Sequence, residues 1–250
     1  MIISFFAFIV VFSIIVLVHE FGHFVAARKS GIKVYEFSIG FPFSPRLLTL
    51  FRHKETEFTV RLLPLGGFVS FSRDGDEEAK ELFESSINKR AFVLSAGSLF
   101  NIVFAFIVFI PIFILGKHLY FIDAILLSAK TGWEMLSGTI MFFLNIFTGY
   151  GTIEGLSGPV GIAAMAGQAA SKGFLNLFYF TGALSMSLGI INLLPLPALD
   201  GGHLIMLLME SIKKKPISSK TYQLVTIIGF SLFFILTVVV TYKDVIKLIA

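Results

Sequence analysis

The chain has 250 residues, of which 56% are hydrophobic and only 14% are charged, and its mean hydropathy is +0.87. The modest net charge of +4 does not indicate nucleic-acid binding, and the absence of cysteine excludes disulfides and thiolate metal ligands. Because helices satisfy their own backbone hydrogen bonds in lipid, this composition predicts a polytopic, mainly α membrane protein. Four uncharged runs are long enough to cross a bilayer: Met1–Val18, Ala91–Leu115, Gly173–Leu199 and Tyr222–Tyr242.

A group of ionisable residues follows the first run directly: His19, Glu20 and His23. Side chains four apart share one face of a helix, so the two imidazoles can bind one metal ion. Glu20 points about 100° away and can reach a water on that metal to take its proton. This pattern is typical of a zinc hydrolase. Ionisable side chains are costly within the membrane and mark functional sites there, which argues against an accidental string.

The basic residues are concentrated in two connections between the runs. Eleven of the 20 Lys and Arg residues lie within Arg28–Arg90, and four more lie within Lys213–Lys220. Because cytoplasmic loops carry an excess of Lys and Arg, we expect both connections to be cytoplasmic. The N-terminus, the connection between the second and third runs, and the C-terminal tail then face outward. The histidine pair therefore lies in the cytoplasmic part of the first helix.

The first connection contains segments with an extended pattern, namely Val34–Ile39, Phe58–Leu63 and Phe68–Phe71. A turn at Pro64–Gly67 separates the last two. We interpret this region as a small β-hairpin or sheet that is apolar enough to enter the membrane beside the metal. The alternative is a purely structural packing element.

The second run contains a small-residue segment that ends in an amide, Ala96–Asn101. Small residues allow helices to approach closely, and an amide in lipid usually finds a partner on another helix. Asn101 is therefore either a link between helices or a residue that orients the active site.

The connection between the second and third runs is ambiguous. Met135–Ile153 is a run of 19 residues without a charged side chain, which is long enough to span the membrane. A single crossing here would place Asp200 on the side opposite to the histidines. We therefore predict that Ala124–Thr148 forms a helix at the outer interface or a partly re-entrant one. Gly155–Ala170 is expected to form a glycine-rich turn and a short helix.

The end of the third run offers a third metal ligand. Pro195 and Pro197 should break the helix, and broken helices at membrane depth are tolerated where they line a cavity. Asp200 follows this break on the cytoplasmic side, level with the histidines. The alternative for Asp200 is a helix N-cap. His203 and Glu210 are rival ligands, although His203 is better placed as a neighbour of the site.

Several motifs in order resemble the site-2 protease family of intramembrane zinc metalloproteases, in its bacterial regulator-of-sigma-E-protease branch. They are His19-Glu-Phe-Gly-His23, Pro64-Leu-Gly-Gly67-Phe, Ala96-Gly-x-x-x-Asn101, Ser157-Gly-Pro-Val-Gly161 and Asn192-Leu-Leu-Pro followed by Leu-Asp200-Gly-Gly-His203. The resemblance implies that His19, His23 and Asp200 bind Zn²⁺, with Glu20 as the general base. It also implies a membrane-re-entrant β-hairpin around Pro64–Phe68.

The same resemblance suggests a set of substrate-binding residues: Asn192, Gly66, Gly67 and Asn101. It implies a multi-pass protein of the bacterial inner membrane whose active site lies towards the cytoplasm. The expected partners are the lipid bilayer and single-pass membrane substrates, such as anti-sigma-factor-like proteins or remnant signal peptides, without nucleic acid.

Two features depart from the family pattern. Ser98 stands where the branch usually has proline, and the interval Gly116–Lys172 is too short for a PDZ domain of about 90 residues plus a helix. We therefore predict one intramembrane metalloprotease domain over residues 1–250, without a PDZ insert. Its predicted activity is endopeptidase cleavage of transmembrane segments by water that Glu20 activates on zinc. The alternative is a catalytically silent membrane-binding or chaperone-like protein of the same fold.

Overall fold

A computed structural model of the chain describes residues 2–41, 44–63, 66–72, 80–152 and 155–249. The helices are α1 (Ile2–Lys29), α2 (Lys80–Phe83), α3 (Ile87–Lys117), α4 (Phe121–Phe147), α5 (Pro159–Ser171), α6 (Phe174–Asn192), α7 (Asp200–Lys213) and α8 (Ser219–Ile249). The strands are β1 (Glu36–Ile39), β2 (Arg46–His53), β3 (Thr56–Arg61) and β4 (Gly67–Ser70).

Four of the helices in the described residues are long and apolar enough to cross a membrane: α1, α3, α6 and α8. The predicted polytopic, mainly α protein is therefore confirmed. The helix ends differ from the ends of the uncharged runs. α1 continues to Lys29 and carries the histidine motif on its last turns, whereas α6 already ends at Asn192. Pro195 and Pro197 follow, and neither can continue the helical hydrogen bonding.

Helix α3 lies between α1 and α6, and glycines allow the backbones to approach closely. A Cβ placed on Gly22 of α1 would lie 2.5 Å from the carbonyl oxygen of Ala96 on α3. On the other side, a Cβ on Gly189 of α6 would lie 2.8 Å from the carbonyl oxygen of Ser98. Small residues at these contacts are the usual basis of helix packing in membranes.

The connection between α1 and α3 contains a four-stranded sheet in the order β2-β3-β1-β4, so the sheet among the two predicted alternatives is confirmed. Only the hairpin alternative is wrong, because the Phe58 and Phe68 segments do not pair with each other: β1 lies between them, parallel to β3 and antiparallel to β4. β1 takes an inner position, where its side chains are the most buried of the sheet and Phe37 packs against Phe24 and Phe58. Pro64, which belongs to the predicted turn, lies outside the described residues.

The tight hairpin of the sheet joins β2 to β3, and the sequence did not indicate β2. Lys54 makes the turn with a φ of 55°. Every residue of β2 is exposed, including Leu47 and Leu50, so the strand shows no alternation of buried and exposed residues. This missing alternation explains why the pattern could not identify it.

Helix α4 confirms a helix in the predicted interval Ala124–Thr148. A Cβ on Gly132, near the middle of α4, would lie 2.9 Å from Phe106 Cζ and 3.2 Å from Met186 Cε. Phe106 and Met186 belong to the central parts of α3 and α6. Of the two predicted placements, this contact favours a partly re-entrant helix over one that lies flat at the outer interface.

Helix α5 forms the expected short helix and connects α8 to α1. It begins at Pro159, a favourable first helical position because proline lacks an N–H that would need a partner. The buried carboxylate of Asp244 on α8 accepts the N–H groups of Gly158 at 2.8 Å and Gly161 at 2.9 Å. This contact attaches the last spanning helix to the glycine-rich segment.

Candidate metal centre

Three side chains converge near the C-terminal end of α1. His19 Nε2 lies 3.1 Å from His23 Nε2, and Asp200 Oδ2 lies 3.2 Å from the first and 3.6 Å from the second. In the described part of the chain this is the only group of three possible ligand side chains close enough to share one ion. The two histidines are neighbours because they lie four residues apart on one helix face.

Asp200 reaches the histidines because the chain folds back sharply after α6. The break ends in Ala198 with a φ of 72°, an unfavourable conformation for a residue with a Cβ. Gly201 and Gly202 then contact the carbonyl groups of the break directly, and a Cβ at either position would collide with them. α7 begins at Asp200 itself, with Leu199 in the N-cap position and no side-chain cap. The N-cap alternative for Asp200 is thus wrong.

The spacing of the three ligand atoms fits zinc. Four ligands about 2.05 Å from a tetrahedral zinc lie about 3.3 Å from one another. The three observed separations, between 3.1 and 3.6 Å, bracket this value. His23 Nδ1 lies 2.8 Å from the carbonyl oxygen of Val93, so this nitrogen donates its proton there and Nε2 is left as the ligand atom.

The charge of Asp200 also suits a cation. Burial opposes ionisation, but the neighbouring side chains of His19, His23 and His203 together hold the pKa of Asp200 below its usual value. The carboxylate is therefore ionised at neutral pH, which is the form that binds a metal.

Glu20 stands beside the cluster without belonging to it, as the helix geometry predicts. Its carboxylate is close enough to His23 and Asp200 for electrostatic interaction and accepts the backbone N–H of Val69 in β4. A Cβ on Gly67, also in β4, would lie 3.5 Å from Glu20 Cγ. The end strand of the sheet thus borders the candidate general base.

Helix α3 contributes neighbours of the three ligands that the sequence did not reveal. A Cβ on Gly97 would lie 2.5 Å from His23 Nε2, so this glycine provides the space for the imidazoles. Ser98 Oγ donates to Asp200 Oδ2 over 3.4 Å. In the sequence, Ser98 was notable only because the family branch usually has proline there. The Val93 carbonyl could not be identified from the sequence, because every residue has a backbone carbonyl.

The residues predicted to bind substrate lie in different environments. Gly66 has a φ of 97° and, like Gly67, lies against α1 near Glu20. Asn192 is the last residue of α6, at the edge of the break that leads to Asp200. Asn101 is completely buried with its amide 3.4 Å from His19 Nδ1, so the geometry favours the orienting role over contact with substrate.

Both rival ligands are engaged elsewhere. The His203 ring stacks on Tyr222 with centroids 4.8 Å apart, next to the cluster rather than in it. Glu210 is buried in an ion pair with Arg90, and its other oxygen accepts the backbone N–H of Ile217 at 3.0 Å. Glu210 as the third ligand is therefore wrong.

Comparison with known proteins agrees with this geometry. The model of peptidase family M50 matches residues 7–236. A Clostridium perfringens protein with a provisional zinc metalloprotease name is 30% identical, over 94% of this chain and 96% of that protein. The zinc metalloprotease RasP of Shouchella clausii is 25% identical, over 97% of this chain and 98% of its own length.

A shorter stretch of higher identity relates the chain to the regulator of sigma-W protease RasP of Bacillus subtilis. The two are 39% identical over 127 residues, which are 51% of this chain and 30% of that protein. The alignments to the C. perfringens and S. clausii proteins run over 325 and 419 positions, so these relatives contain stretches that the chain of 250 residues lacks. No PDZ domain is among the family models that match the chain.

Proposed function

Since the chain belongs to peptidase family M50 and is a multi-pass zinc metalloprotease, we propose that it cleaves single-pass transmembrane segments within or near the bilayer. One observation carries the proposal. His19, His23 and Asp200 have the spacing of a tetrahedral zinc site, and they lie beside Glu20 among membrane-spanning helices. Ionisable groups in such a position mark functional sites.

We assign the roles as follows. His19, His23 and Asp200 hold the metal, and zinc supplies a Lewis acid for the scissile carbonyl and makes water a nucleophile near neutral pH. Glu20 takes the proton of the attacking water and delivers it to the leaving nitrogen. The Val69 N–H keeps the Glu20 carboxylate turned towards the cluster.

The substrate must be locally extended, because a membrane helix hides its carbonyl groups in its own hydrogen bonds. We propose that the outer edge of β4, which pairs with no strand among the described residues, receives this extended stretch by backbone pairing. β4 is the last strand of the sheet, and its Val69 N–H points away from β1 towards Glu20. Gly66 and Gly67 let this end of the sheet lie close to α1 beside Glu20, and we propose that Asn192, the last residue of α6, contacts the other side of the peptide.

The basic loops support the proposed orientation in a bacterial inner membrane, with the metal towards the cytoplasm. The whole chain is proposed to act as one domain without a PDZ insert. The name of the B. subtilis relative refers to regulation of a sigma factor, which supports anti-sigma-factor-like membrane proteins as one substrate class. Remnant signal peptides are the other.

Metal content and cleavage should be measured together on purified variants in detergent. We expect Glu20→Gln to keep one zinc per chain and lose cleavage, whereas His23→Ala and Asp200→Ala lose both. Glu134→Gln is the matched control, because this exposed carboxylate of α4 pairs only with Lys130 in the described part of the chain and should retain both properties. Unchanged zinc in Asp200→Ala would remove Asp200 from the site, and full cleavage by Glu20→Gln would refute its role as base.

A further inference from the structure

Asn101 has an unusual environment for an amide in a membrane-spanning helix. Its side chain is completely buried in α3, and Nδ2 lies 3.4 Å from His19 Nδ1. Among the described residues, nothing donates a hydrogen bond to Asn101 Oδ1. A buried polar atom without a partner costs about 1–3 kcal/mol, so this amide calls for an explanation.

The tautomer of His19 supplies the explanation. His19 presents Nε2 to His23 and Asp200, so a neutral ring that binds metal through Nε2 carries its proton on Nδ1. An amide NH₂ cannot accept that proton, but the amide oxygen can. Turning the Asn101 amide by 180° exchanges nitrogen and oxygen at nearly the same positions. In this orientation Asn101 Oδ1 accepts a hydrogen bond from His19 Nδ1–H, so both groups have a partner.

We propose that Asn101 is a positioning residue for the metal centre, whose amide oxygen accepts the Nδ1–H of His19 and holds the Nε2 lone pair on the metal. This inference rests on the proposed ligand role of His19. Ligating histidines commonly donate their second N–H to an oxygen that fixes the ring and the tautomer, and His23 does so with the Val93 carbonyl.

The arrangement along α3 supports the same role. Val93, Gly97 and Asn101 are spaced by four residues, so they form one stripe on the helix face that meets α1. The carbonyl of Val93 holds the ring of His23, and Gly97 provides space for both rings. The amide of Asn101 contacts Nδ1 of His19. One helix face therefore aligns both imidazoles.

A purely structural role for the side chain can be separated experimentally. The backbone carbonyl of Asn101 accepts the hydroxyl of Ser185 on α6 at 3.0 Å, and this link between α3 and α6 does not involve the amide. Ser185→Ala removes a buried hydrogen bond at the same position without touching His19. It is thus a matched control for packing at this point of the helix interface.

The test uses the full chain purified in detergent, with two readouts. Zinc affinity is measured by competition with a chelator, and the ligand geometry is read from the visible absorption of the Co²⁺-substituted protein. We expect Asn101→Leu to lower zinc affinity about 10- to 100-fold and to change the cobalt spectrum. Asn101→Asp keeps an acceptor for Nδ1–H and should retain at least the wild-type affinity, and Ser185→Ala should leave both readouts unchanged.

Three results would overturn the proposal. They are wild-type affinity and spectrum in Asn101→Leu, an equal loss in the Asp and Leu variants, and a loss in Ser185→Ala as large as that in Asn101→Leu. If Asn101→Leu does not fold, Asn101→Asp decides alone, because lower affinity than wild type contradicts an acceptor role. His19→Ala belongs in the same series, since unchanged zinc there would refute the ligand set itself rather than the role of Asn101.

Discussion

Adding one methyl group at Gly97 should disrupt the metal centre without changing any ligand. The Cβ of Gly97→Ala would lie 2.5 Å from His23 Nε2 and 2.8 Å from His19 Cε1. Ordinary van der Waals contact begins near 3.4 Å, so the His23 ring would have to move by roughly 0.9 Å. The ring cannot simply rotate, because the Val93 carbonyl holds Nδ1. Functional zinc–ligand distances tolerate only about 0.2 Å.

The expected magnitude follows from the cost of overpacking. Inserting a methylene into a packed interior costs about 1–3 kcal/mol. If the histidines bear this cost when they bind zinc, affinity falls about 5- to 150-fold. Zinc competition titration and peptide cleavage should both show the loss, and cleavage should partly recover when zinc is added in excess.

Gly132→Ala provides the control for a general effect of overpacking. Its Cβ would lie 2.9 Å from Phe106 Cζ and 3.2 Å from Met186 Cε, the ends of side chains that can shift. This variant should lose some thermal stability but keep wild-type zinc affinity. Wild-type zinc affinity in Gly97→Ala, or an equal loss in Gly132→Ala, would refute the reasoning.

Val69→Pro removes the N–H that Glu20 accepts at the edge of β4 and should slow cleavage while zinc content is unchanged, through loss of Glu20 orientation as well as of strand pairing. The separate test of strand addition is in the substrate, where helix-breaking residues near the cut site should speed cleavage, and indifference to them would argue against strand addition. Single cysteines at Lys54 and His118 test topology with an impermeant thiol reagent in intact cells, where labelling at 118 alone is expected and labelling at 54 alone would invert the membrane orientation. Ala198→Gly should raise the free energy of unfolding by about 0.5–1 kcal/mol, because φ at this position is positive, and Ala198→Val should lower it. A thermal melt in which the Ala198→Val protein is as stable as the wild type would contradict this. If the chain acts without a PDZ insert, as proposed, cleavage should depend little on the size of a substrate's outward-facing part, and a strong preference for substrates with a short outward-facing part would contradict this expectation.

The sequence alone determined the features that depend on local spacing. His19 and His23 share a face because the helix repeat places them there, and the four membrane spans follow from uninterrupted apolar runs. The distribution of basic residues also put Asp200 on the side of the histidines, which the structure confirms. The two prolines after α6 predicted the break that brings it there.

Only the tertiary structure decided which groups surround those residues. β1 lies between β3 and β4, although these two strands follow each other in the sequence. The packing of Phe37 against Phe24 stabilises this arrangement more than the short connection favours direct pairing of β3 with β4. The space at Gly97 and the Val93 carbonyl are properties of how closely α3 approaches α1. Such contacts join residues about 70 positions apart, and a backbone carbonyl or a missing Cβ leaves no mark in a sequence pattern. Local periodicity therefore identifies the ligands, whereas long-range packing sets how they are held.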